Sequence, residues 1–108
     1  MLMGNGNPKE KNMEIQVGNR VRSFDFADGP DGRALEGERA CYVEGTVMDI
    51  VKATDGGYDR YRILVDRDVF GGKELDNRVG NEVFPPVNGT PTLFSGDTDF
   101  VEFIPNGY

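Results

Sequence analysis

The chain reads as an all-β domain of about five short strands, and three observations carry that reading. A Gly-Asn corner occurs twice, as Val17-Gly18-Asn19-Arg20-Val21 and as Val79-Gly80-Asn81-Glu82-Val83, each time leading into a short apolar run. Glycine and asparagine make tight turns, while Val and Phe suit a pleated, half-buried surface. Between Tyr58 and Phe70 the residues alternate, with Tyr61, Ile63, Val65 and Val69 on one side and Arg60, Arg62, Asp66 and Asp68 on the other. Such alternation predicts one buried and one wet face. No window of helical length carries a helical apolar rhythm.

In chain order, residues 1–12 are polar, rich in Gly and Asn and aperiodic, and read as a flexible leader; residues 13–108 read as one domain. The first strand is predicted over Arg20 to Phe26, with Ile15 and Val17 packing beneath it. Phe24 and Phe26 share a parity that Val21 lacks, which predicts a bulge or bend. Ala27 to Arg39 is dense in Asp, Gly and Pro and predicts a long loop with a helical turn at Arg33–Glu36. The second strand spans Ala40 to Lys52; Cys41, Val43 and Val47 share one parity, and Met48 and Ile50 switch to the other. Gly45 stands just before that switch, as a bulge or sharp bend requires. Asp55-Gly56-Gly57 predicts a hairpin turn into Tyr58–Phe70, and Gly71-Gly72 ends that strand in a polar loop. Val83-Phe84 is a short strand stopped by Pro85-Pro86. Val87 to Thr98 is a loop with Leu93 and Phe94 as an apolar plug, and Phe100 to Ile104 is the last strand.

The order of these strands, with its long first loop and tight central hairpin, adds to three local motifs: the Gly18-Asn19-Arg20-Val21 opening, Glu44-Gly45-Thr46-Val47, and the alternating Tyr61–Val65 run. Together they resemble the SH3-like barrels of Tudor- and KOW-type modules, over Val17 to Ile104. An OB-like barrel is the alternative architecture. The sequence also resembles small uncharacterised phage-encoded proteins, a likeness that implies no activity but places the chain in a host cytoplasm.

Composition narrows the chemistry. The 108 residues carry 19 acidic and 12 basic side chains, a formal charge of −7, no His and one Cys. A negative field disfavours general binding to phosphate backbones. Without His there is no Ser-His or Cys-His catalysis, and the commonest zinc ligand is missing. Cys41 alone cannot form an intramolecular disulfide, which suits a reducing compartment, and as a strand residue it reads as a small hydrophobe. No apolar run is long enough to span a bilayer as a helix.

The remaining constellations predict binding rather than catalysis. Asp28-Gly29-Pro30-Asp31-Gly32 and Asp97-Thr98-Asp99 lack the fixed alternation and closing Glu of a calcium loop, so no metal site is expected. Gly71-Gly72-Lys73-Glu74 is not a phosphate-binding loop, and no cofactor is expected. The chain is read as a non-enzyme that binds another protein, through Phe84, Pro85, Pro86 and Val87 with Phe94. Two prolines fix an extended path, and an apolar, pre-extended edge loses little entropy on docking. The competing reading has Phe84 and Phe94 plugging the barrel ends. Arg60, Tyr61 and Arg62 form a basic, aromatic strand that could meet nucleic acid, although alternation turns Tyr61 inward and nearby carboxylates pair with the arginines. An acidic mimic of nucleic acid and a virion component are further alternatives. Asn88-Gly89-Thr90 matches the N-glycosylation pattern, to no purpose in a cytoplasm.

Overall fold

Eight β-strands follow one another along the computed structural model, which describes residues 15–25, 33–54, 57–91 and 97–105. They are β1 (Arg20–Phe24), β2 (Tyr42–Val51), β3 (Arg60–Phe70), β4 (Lys73–Leu75), β5 (Glu82–Val83), β6 (Thr90–Pro91), β7 (Asp97–Thr98) and β8 (Val101–Phe103). No α-helix occurs among the described residues, so no helix there could cross a membrane. Phe26, Leu93, Phe94, the leader and the Asp55-Gly56 turn lie outside the described residues.

Six strands form one antiparallel sheet in the order β4-β3-β2-β1-β8, with β5 beside β3, and β6 pairs with β7 separately. The two Gly-Asn corners explain how the strands are placed. Each is a tight turn: the Asn19 N–H donates to Gln16 O at 3.0 Å and the Asn81 N–H to Arg78 O at 3.0 Å. Gly18 and Gly80 hold φ of 95° and 88° at the third position, where a type II turn needs positive φ. Each corner then grips one buried valine of the central ribbon. Gly18 N donates to Val47 O (2.7 Å) and Val47 N to Asn19 O (2.9 Å); Gly80 N donates to Val65 O (2.8 Å) and Val65 N to Asn81 O (2.9 Å).

The equivalence extends outward. Arg20 and Val21 pair with Thr46 and Gly45, as Glu82 and Val83 pair with Leu64 and Ile63. The register between β2 and β3 shifts at two places, leaving Asp66 as the extra residue on β3 and Met48 as the extra residue on β2. A local pseudo-two-fold through the Thr46–Leu64 pair exchanges β2 with β3, β1 with β5, and one bulge with the other. The repeated phrase in the sequence is that symmetry written in residues.

The bulges correct the predicted alternation. Beyond Asp66 the parity of β3 reverses, so Asp68 turns inward, 1% exposed, and Val69 turns to the opposite face. The switch predicted near Gly45 does occur, with Met48 as the inserted residue and Ile50 packing on the core. In β1 the register against β2 is unbroken from Arg20 to Phe24, so no bulge interrupts it there, and Phe26, on which the predicted bulge or bend also rested, lies outside the described residues. The parity difference arises because the sheet buries both faces. Ile15, Val21, Val47, Tyr61, Ile63 and Val101 form the main core, while Phe24, Ala40, Tyr42 and Val69 form a second cluster behind it. Gly71-Gly72 proves to be a hairpin turn into β4 and not the start of a loop.

Among the described residues, backbone pairing does not close the sheet into a barrel. A side chain spans the gap instead. Asn88 Nδ2 donates to Val101 O at 2.7 Å and Asn88 Oδ1 accepts the Val101 N–H at 3.2 Å, so its amide behaves like a strand residue against the outer edge of β8.

Candidate partner-binding face

The segment after the second corner continues as an extended strand along β3. Ile63 pairs with Val83 and Leu64 with Glu82, the Tyr61 N–H donates to Pro85 O (2.9 Å), Arg60 bridges to Pro86, and the Val87 N–H donates to Asp59 O (3.1 Å). One uninterrupted register therefore places Phe84 opposite Arg62. Alternation then divides the predicted site. Pro85 and Val87 lie on the core side, Val87 packing against the main cluster, while Phe84 and Pro86 lie on the outer side. Phe84 is 43% exposed. Phe94 lies outside the described residues.

On the outer edge Pro86 supplies no N–H and Phe84 O accepts from Arg60 NH1 at 2.7 Å, so two of the groups an incoming strand would use are removed. The side chains of the sheet face are the other contact surface of this segment.

That face has three rows. Thr46, Leu64 and Glu82 form the first; Asp49, Arg62 and Phe84 the second; Val51, Arg60 and Pro86 the third. Leu64 and Val51 are each 39% exposed. Leu64, Phe84 and Val51 thus occupy register positions next to Arg62, whose guanidinium pairs with Glu82 at 2.5 Å. Arg60 stacks its guanidinium 4.6 Å from the Tyr58 ring and donates to the Tyr58 hydroxyl at 3.0 Å. Asp59 anchors the adjoining turn by accepting the Ala53 N–H at 2.8 Å, and that bond holds its carboxyl below the usual range. Leu64 and Val51 were not singled out from sequence. Leu64 was visible in principle, as a lone apolar residue in the series Arg60, Arg62, Leu64, Asp66 that alternation assigns to water.

The nucleic-acid constellation is not assembled as a stacking platform. Tyr61 is 3% exposed and belongs to the main core, and both arginines are engaged within the chain. Asp49, Asp66 and Glu82 stand on the same face and repel phosphate.

A second charged surface crosses the sheet at the other bulge. Glu102, Arg22, Glu44, Arg67 and Glu74 alternate in sign from β8 to β4, joined at 2.7, 2.9, 3.2 and 2.5 Å. Arg20 adds a bond to Glu44 (3.4 Å) and a two-pronged pair with Asp66 at 2.5 and 2.8 Å. Arg22 and Arg67 lie over Tyr42, at 5.2 and 5.8 Å from its ring centre. Each guanidinium is matched by carboxylates, so the ladder fixes strand order and offers no free charge to a ligand.

No family model, curated protein or solved structure matches the chain. Its function must be read from its own surfaces. Among the described residues no group of acidic, Cys or His side chains is arranged to hold a metal ion.

Proposed function

We propose that the chain is a non-catalytic SH3-like module, of the kind phage genomes encode, that acts in the cytoplasm by contact with another protein. The observation that carries this reading is the cluster of exposed Leu64, Phe84 and Val51 at register positions neighbouring Arg62 on one three-stranded face. Arginine and aromatic side chains at the centre of an apolar patch are the composition of protein–protein contact cores. Burial of Phe84 and Leu64 together would remove enough apolar area to stabilise a complex by several kcal/mol before ordering costs, on the order of 2 kcal/mol per side chain. The rigid register along β3 means that little entropy is lost on docking.

The test compares bait proteins in affinity capture from the native host. Phe84→Ser and Leu64→Ser should fold with melting temperatures near that of the parent yet lose a partner the parent retains. Val17→Ser, altered at an exposed corner off this face, should keep it. Equal recovery by all four baits would place the contact elsewhere. A partner recovered only through co-purifying nucleic acid, and lost on nuclease treatment, would favour the Arg60–Arg62 reading instead.

A further inference from the structure

Asn88 takes no part in the proposed contact, yet its amide joins the strand beside β3 to the outer edge of β8. We infer that Asn88 is a deamidation site whose reaction is gated by this clasp and whose product holds the clasp open. In the reaction the Gly89 backbone nitrogen attacks Asn88 Cγ. The N–Cγ bond forms, the Cγ–Nδ2 bond breaks, and Nδ2 leaves as ammonia with the proton lost from Gly89. Water then opens the cyclic imide at either carbonyl, leaving aspartate or isoaspartate. Glycine at the following position leaves the attacking nitrogen uncrowded.

In the folded chain every reacting atom is committed. Nδ2 and Oδ1 are bound to Val101, and the Gly89 N–H donates to Asp99 Oδ1 at 3.0 Å. The turn itself is closed by the Thr90 N–H on Val87 O at 3.1 Å, with Gly89 at φ 84°. In such a turn the second residue has ψ of about +120°, which points the next nitrogen away from that residue's own side chain. Ring closure therefore requires the 87–90 turn and the clasp to open together. Once formed, the carboxylate lacks the N–H that Val101 O accepts and sets a negative oxygen against that carbonyl. Isoaspartate also lengthens the turn backbone. Either product leaves Val101 O without its donor; repulsion from that carbonyl, or the longer backbone, then draws the carboxylate off the strand edge and takes the acceptor from the Val101 N–H as well.

The full-length protein is incubated at neutral pH, folded and in urea, and conversion at Asn88 is followed by peptide mass mapping. The folded chain should convert at least about tenfold more slowly than the chain in urea, as gating by a local opening requires. Equal rates in the two states would overturn the gate. In a parent carrying Asn5→Gln and Asn106→Gln, which removes the other two Asn-Gly pairs, converted and intact molecules from the aged folded sample are separated by charge, assigned to Asn88 by peptide mapping and compared by amide hydrogen exchange. The converted fraction should exchange the Val101 amide at least about tenfold faster; unchanged exchange would overturn the claim that the product keeps the clasp open. Asn88→Asp provides the same comparison without ageing.

Discussion

Asp68 carries a buried carboxylate that Arg78 makes tolerable, while Asp25 takes the other side of the same guanidinium. Asp68 accepts the Arg78 backbone N–H (3.0 Å), Nε (3.0 Å) and NH2 (2.7 Å), while Arg78 also reaches Asp25 at 2.7 and 3.2 Å. Burial pushes the Asp68 carboxyl up, but the bonds from Arg78 more than offset this and leave it below its ordinary value. A depressed folded pKa adds stability above the unfolded pKa, about 3.9, and that stability is lost as pH falls through the lower folded value. Asp68→Asn should therefore cost about 3 kcal/mol at neutral pH, read from urea unfolding, and flatten the acid limb of the stability profile. Glycines separate equally cleanly. A Cβ at Gly45 would run into the Leu64 carbonyl of the neighbouring strand, so Gly45→Ala should abolish folding by circular dichroism. Gly18→Ala and Gly80→Ala meet open space and suffer only the positive φ. Each should cost roughly 1–2 kcal/mol, and by nearly equal amounts if the two corners are equivalent.

At the level of elements, the charge ladder and the bulges decide which side chains meet. Glu44 has a 6% exposed side chain and serves three arginines. Glu44→Gln should destabilise by about 2 kcal/mol, because it leaves those guanidinium groups around a neutral amide. Glu74, 62% exposed, is held below the usual carboxylate range by Arg67. Glu74→Gln should leave the urea midpoint close to that of the parent, because the pair is exposed and screened. Urea titration of both variants distinguishes the two depths. The strands were legible in sequence where one face is buried along an unbroken register, as at Tyr61 to Val65. Legibility failed at Asp66, because an inserted residue reverses parity without changing composition. It failed again at Lys73–Leu75, whose three residues are all exposed and hold a single apolar side chain, Leu75, too little to show alternation. Gly45 announced its bend because a close backbone approach demands glycine; Asp66 demands nothing of its own side chain.

Across the whole molecule, the repeated corner set the architecture, and the candidate face followed only in part. Phe84 and Pro86 were identifiable from the proline-stopped run. Their alignment with Leu64 and Val51 was not, since it depends on β5 pairing with β3 across a long sequence separation. The same pairing puts Tyr61 in the core and so separates it from Arg60 and Arg62. A photo-reactive aromatic residue placed at position 84, with the same residue at position 17 as reference, tests the central claim directly in the living host. A cross-linked adduct with one discrete protein at position 84 and none at position 17 is the predicted result. Adducts at both positions, or at position 17 alone, would contradict a contact centred on Arg62.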